Sequence, residues 1–168
     1  MIYVERKIDF EFANKLFELA LRLEGSKIAF WPSPPVYSTF SITDFIRKLI
    51  CRLLIRNDAL SNFLHTLSPF TAGQEELEVV TKFGDDQDQY KMASFYNVNN
   101  NILKLIEANF DLIEKKIDSI SFYKEGQKDW FLCMIFHETM SILKIPTTEF
   151  HCLKEMGIPY SLKPPEWW

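Results

Sequence analysis

The sequence is poor in glycine and cysteine. Of its 168 residues, 5 are glycine and 3 are cysteine. The glycines are scattered, so neither Gly-x-Gly-x-x-Gly nor Gly-Lys-Ser/Thr occurs, and nucleotide enzymes that cradle phosphate in such loops are excluded. The cysteines are far apart and odd in number, and none belongs to a Cys-x-x-Cys pair. We therefore expect reduced thiols and a cytoplasmic location.

Long apolar runs are also missing. The longest, at 130–136, is far shorter than the ~20 residues that cross a bilayer. Glu5, Arg6 and Lys7 place charges where a secretory signal peptide would be apolar. The sequence therefore predicts neither a membrane span nor a signal peptide.

Apolar and aromatic residues, in contrast, are abundant. They make up 47% and 15% of the chain, which is enough to bury one sizeable core without disulfides or metals. No repeat or linker divides the sequence. We expect one globular domain spanning 1–168, in which the Pro- and Trp-rich tail at 161–168 packs on the core or on a partner.

Hydrophobic periodicity favours helices along most of the chain. Apolar residues recur at helical spacing in four segments, and 128–143 is apolar nearly all round, which is typical of a buried central helix. The four segments are 9–24, 41–56, 57–67 and 102–120. The predicted fold is a single compact all-α domain of five to seven helices, with 102–120 and 128–143 at its centre.

Residues 74–83 leave two alternatives open. Thr71-x-x-Gln74 resembles a capping box, which favours a helix. After it, polar residues alternate with residues that are apolar or β-branched. This alternation fits a strand equally well, with 90–96 as the hairpin partner. The alternative fold is therefore α+β, with a small hairpin around 76–96.

Charge is distributed unevenly along the chain. The formal net charge is −4, but 1–60 hold nine basic and seven acidic residues, whereas 61–125 hold six and eleven. Within 75–88, Lys82 is the single base among six acids. Such a surface disfavours nucleic acid and favours a basic partner. The six acidic residues are Glu75, Glu76, Glu78, Asp85, Asp86 and Asp88.

Two segments combine proline with aromatic residues, at 30–37 and 164–168. Trp and Tyr are frequent anchors of protein interfaces, so one hypothesis adds four of these residues to the partner-binding surface. The other interpretation is that they dock on the protein's own core. The four residues are Trp31, Tyr37, Trp167 and Trp168.

Candidate metal ligands occur near the C-terminus. Cys133 and His137 are four residues apart on a predicted helix and would share one face, as zinc ligands often do, with His151 as a third candidate. His137-Glu138 also begins a His-Glu-x-x-His motif, but Ser141 occupies the position of the second histidine. We therefore predict no resident metal or cofactor. A small metal-dependent enzyme using His137, Glu138 and His151 remains an alternative.

A compact chain with a concentrated acidic segment and no catalytic constellation favours a binding protein over an enzyme. We expect an inhibitor of a basic protein, of the kind that bacterial immunity proteins provide against toxins such as nucleases, with the acidic surface covering the active site. No small-molecule substrate is inferred. A further alternative is a helical nucleic-acid-binding regulator that uses the basic residues within 44–56, although the pI of about 5.4 disfavours it.

Overall fold

A seven-stranded antiparallel sheet forms the centre of the fold. The computed structural model describes residues 1–32, 59–79 and 89–166, with the backbone alone at 32, 75–79 and 89–93. The strand order is β1-β7-β6-β5-β2-β4-β3, so the all-α prediction is wrong. The strands are β1 (Ile2–Glu5), β2 (Gly25–Pro32), β3 (Thr71–Val79), β4 (Gln89–Asn97), β5 (Ile117–Lys124), β6 (Trp130–Ile135) and β7 (Met140–Leu143).

Five α-helices accompany the sheet in the described ranges. They are α1 (Phe10–Arg22), α2 (Ala59–Thr66), α3 (Asn100–Ala108), α4 (Phe110–Lys116) and α5 (Phe150–Glu155). Asp9 caps α1 by accepting a hydrogen bond from the Phe12 amide at 2.8 Å, which confirms the predicted start of that helix. The predicted helix at 41–56 lies outside the described residues. None of the described helices is long and apolar enough to cross a membrane.

Successive side chains of a strand point to opposite faces of the sheet, and both faces are apolar. On one face, Ile28, Ile120 and Phe122 join the buried residues of all five helices in one core cluster. On the opposite face, smaller clusters form, one around Tyr123 and one around Met140. Both faces of the sheet are therefore apolar, and its central strands are buried on both sides.

The predicted helix at 102–120 is divided into two helices and a strand. Asn109 ends α3, and its side-chain amide donates to the Leu105 carbonyl at 2.8 Å. α4 then ends at Lys116, after which Ile117 has extended backbone (φ −103°, ψ 127°). Ile117 and Ile120, which continue the helical spacing, instead belong to β5.

The predicted central helix at 128–143 is a hairpin of β6 and β7. Five of the six residues from Phe131 to Phe136 are buried, and Thr139 turns the chain with a φ of 49°. A strand that is covered on both faces carries a continuous apolar run, which periodicity alone does not distinguish from a buried helix. The helix prediction is wrong for this reason.

The segment with two alternatives is a strand. β3 pairs with β4 from Thr71↔Tyr96 to Val79↔Gln89, so the helix interpretation is wrong for 74–79, while 80–83 lie outside the described residues. The structure contains a hairpin where the α+β alternative placed one, although it is part of a far larger sheet than that alternative included.

The edge at β1 is covered by the C-terminal segment. Tyr3 and Ser161 exchange two backbone hydrogen bonds, of 2.9 and 2.8 Å, while β1 pairs on its other side with β7. Pro165 is buried, which ties this part of the predicted tail to the body of the protein. Trp167 and Trp168 lie outside the described residues.

Candidate functional site

The acidic segment follows the opposite edge of the sheet. β3 is the last strand in the order, and half of the six acidic residues belong to it. Their backbone positions in the β3–β4 ladder are Glu75↔Ala93, Glu76↔Met92 and Glu78↔Tyr90. Residues 80–88 connect the two strands, so Asp85, Asp86 and Asp88 lie outside the described residues. The acidic sequence thus runs along an edge strand and into its connection with β4.

The first half of β3 is accessible to solvent. Thr71 and Gln74 are exposed, and the Gln74 amide donates to the Ser94 hydroxyl at 3.2 Å. The ladder is irregular between Thr71 and Gly73, where Gly73 has a φ of 143°. This irregularity shifts the register of the edge strand against β4 at that point.

An acidic edge strand combines two means of recognition. Among the described residues, no strand pairs with the outer side of β3, so its backbone N–H and C=O groups are open to another strand there. The glutamates in its sequence add negative charge that attracts cationic surfaces. Charged residues on edge strands also oppose aggregation through edge-to-edge pairing. Chemically, the arrangement suits a protein surface that binds basic partners.

Trp31 does not lie beside the acidic residues. It belongs to β2, which β4 separates from β3, and it packs half-buried against Ala29, Phe95 and Tyr123. Docking on the protein's own core is therefore the interpretation that the structure favours for Trp31. Tyr37, Trp167 and Trp168 lie outside the described residues, as does the basic segment 44–56.

Two carboxylate side chains contact His137, one of which the sequence did not indicate. Its Nδ1 lies 2.6 Å from Asp118 Oδ1, and its Nε2 lies 3.6 Å from Glu138 Oε1. The pairing of β5 with β6 brings Asp118 to the hairpin turn, where its carbonyl accepts a hydrogen bond from the Phe136 amide at 2.9 Å. Because a carboxylate on Nδ1 fixes the orientation of the imidazole, these contacts fasten the β6–β7 turn to the start of β5.

The candidate metal ligands have separate partners. Ser121 donates to the Cys133 thiol at 3.4 Å, whereas His151 Nδ1 lies 2.8 Å from the Thr148 carbonyl. Within the described ranges, no three His, Cys, Asp or Glu side chains form a group that would hold a metal ion. The structure thus does not bring Cys133, His137 and His151 together.

Cys133 is expected to resist alkylation in the folded protein. Burial raises the pKa of its thiol to about 11, although hydrogen bonds from Ser121 and Ser119 oppose that rise. At pH 8 about 0.1% of this thiol is ionised, and the thiolate is the reactive form. Iodoacetamide labelling followed by peptide mass spectrometry should modify the half-buried Cys152 at least ~100-fold faster than Cys133.

In urea the two thiols should react at similar rates, which serves as the control. Equal rates in the folded protein would contradict the burial of Cys133.

The raised pKa of Cys133 also makes the stability of the protein depend on pH, because an unfolded cysteine ionises near pH ~8.5. Between that pH and about 11, the unfolded state binds fewer protons, so the contribution of Cys133 to stability falls as the pH rises.

No family model, curated protein or solved structure matches this chain.

Proposed function

We propose that this protein binds a basic protein and inhibits it, in the manner of bacterial immunity proteins that neutralise toxins such as nucleases. The observation that carries the proposal is that the acidic segment 75–88 begins on the edge strand β3 and continues into its connection with β4. A cleft that binds phosphate is cationic, so it would be attracted to this edge and covered by it. The cysteine pattern supports a cytoplasmic site of action.

The length of β3 also supports this function. The strand has nine residues, which at about 3.4 Å per residue extend over roughly 30 Å. A standard protein interface buries about 800 Å² on each partner, which corresponds to a patch of about the same width. Glu75, Glu76 and Glu78 belong to the second half of this strand, and the other three acidic residues follow in the sequence that connects it to β4, where Lys82 is the single base.

Charge reversal at the hairpin is expected to weaken partner binding at least ten-fold. The variant replaces Glu75, Glu76, Asp85 and Asp86 with lysine. The loss arises because electrostatic attraction raises the association rate, and the salt dependence of that rate should decrease in parallel. The measurement is surface plasmon resonance against the basic protein that co-purifies with the full chain, at several ionic strengths. Titration of the partner's own activity should reach zero at a 1:1 ratio.

A control variant with the same change in net charge separates a local effect from a global one. Lysine at Glu11, Glu114, Glu155 and Glu166, all exposed, should leave the affinity within about two-fold of the original. Equal losses in the two variants, with circular dichroism unchanged, would show that net charge alone is responsible and would contradict docking through the hairpin.

A further inference from the structure

A solvent-open groove runs between α1 and α3, on the helical side of the sheet. It consists of two depressions, of about 420 and 320 Å³, which share Glu107 in their linings. Phe10 lines the first depression, and Leu21 lines the second. Both depressions are open along one side, whereas small-molecule sites enclose most of their ligand. The shape therefore suits a segment of another protein.

The groove holds exposed apolar side chains at both of its ends. Phe10 and Leu21 are each 39% exposed, and they lie near opposite ends of α1. They are two of the four large hydrophobic residues that are exposed in the described ranges. The ring of Phe10 packs edge-on against Phe110 at 5.6 Å, which restricts its motion. Apolar side chains held in this way are suitable anchors for a partner.

The charged side chains that line the groove favour a partner with a positive charge. Glu18, Glu107 and Asp111 line the groove together with Lys104. Glu18 is already paired with Arg22 at 2.9 Å, whereas no salt bridge of Glu107 or Asp111 is found among the described residues. Glu107, which lines both depressions, and Asp111, which lines the first, can thus accept a cation from a partner.

We propose that this groove binds an amphipathic helix of a partner protein, with apolar side chains between Phe10 and Leu21 and a lysine or arginine directed at Glu107. Phe10 and Leu21 are eleven positions apart along α1, or ~17 Å at 1.5 Å per residue. This length matches about three turns of a partner helix, the usual size of a helix bound in a groove. The surface is distinct from the acidic hairpin, so the inference does not depend on the inhibitor function.

Nuclear magnetic resonance on the full-length, ¹⁵N-labelled chain tests the proposal. The probe is a synthetic 14-residue helix with leucines at i, i+3, i+7 and i+10 and lysines flanking them; a second probe carries glutamates in place of the lysines. We expect saturable shift changes confined to α1, α3 and α4 with the lysine peptide, and at least ten-fold weaker binding of the glutamate peptide. Shift changes elsewhere, or no saturable binding, would overturn the proposal.

Variants of the protein complete the test. Leu21→Ser and Glu107→Lys should each weaken binding of the lysine peptide at least five-fold. The controls Leu162→Ser, at an exposed leucine outside the groove, and Glu114→Lys should leave it unchanged. Sedimentation of the unlabelled chain provides a further check, because self-association abolished by Leu21→Ser would show that a second copy fills the groove and would refute a heterologous helix. The hairpin charges are intact in every variant, so a negative result here does not bear on the inhibitor function.

Discussion

Replacing Phe122 with alanine is expected to lower the free energy of unfolding by about 3–5 kcal/mol. Phe122 is fully buried in β5, the middle strand of the sheet, where it lies between Ile28 of β2 and Leu132 of β6. Its ring also packs on Phe17 of α1 at 5.7 Å. The truncation removes apolar contacts on three sides and leaves a cavity that rigid neighbouring strands cannot fill.

Urea denaturation followed by circular dichroism measures this loss. Phe10→Ala is the matched control, since the Phe10 ring is partly exposed and its truncation should cost about 1 kcal/mol or less. A double-mutant cycle with Phe17→Ala should give a coupling of about 1 kcal/mol, as expected for two rings in contact. If Phe122→Ala were no more destabilising than the control, β5 would not be the centre of the core.

Replacing Gly25 with valine is expected to cost about 3 kcal/mol or more, and replacing it with alanine about 1–3 kcal/mol. A Cβ at this position would lie 2.8 Å from the Ala20 carbonyl oxygen and 3.1 Å from Cζ of Phe131. The carbonyl belongs to the backbone of α1, so relief of the clash requires helix and strand to separate. Thermal and urea unfolding of the two variants measure the effect.

Glu24 provides a control in which the free energy of unfolding is expected to rise instead of fall. Glu24 has a φ of 61°, a left-handed conformation that costs a non-glycine residue about 1–2 kcal/mol. Glu24→Gly should therefore stabilise the protein by about 1 kcal/mol after the greater flexibility of the unfolded chain is included. Stabilisation by Gly25→Ala would show that a Cβ fits at residue 25 and would contradict a close approach of β2 to the backbone of α1.

The helix that the sequence predicted best is the one whose signals are local. α1 has an apolar stripe, an N-cap at Asp9 and a polar outer face, and each of these operates within a few residues. Its end was less predictable. The predicted segment continues to residue 24, whereas α1 ends at Arg22, Glu24 takes the left-handed conformation and Gly25 begins β2.

The sheet was missed because its evidence is not local. Ile117 and Ile120 continue the helical spacing of α3 and α4, and nothing within that segment shows that β2 and β6 lie on either side of it. The β6–β7 turn has no glycine, proline or asparagine, since it is built from 136–139 with Thr139 in a left-handed conformation. A turn without the usual turn residues left the run 128–143 indistinguishable from a buried helix.

The charges of the candidate interface could be predicted from the sequence, whereas their location is known from the structure alone. The acidic residues at 75–88 are evident from composition, but their position on an edge depends on strand pairing over a long range. The pairing of His137 with Asp118 was similarly invisible, because the two residues are distant in sequence and meet through the alignment of β5 with β6. Spacing rules apply within one element and do not detect such contacts.

The position of β1 imposes an order on folding during synthesis. Both neighbours of this strand, β7 and Ser161, come from the last part of the sequence. While a ribosome produces the chain from its N-terminus, residues 2–5 must wait unpaired until 140–161 have emerged. Ile2 and Val4, which are completely buried in the finished protein, are exposed during that interval. β1 is thus synthesised before the other described strands but is among the last of them to be incorporated, and a nascent chain stalled before residue 140 would expose this apolar segment to chaperones.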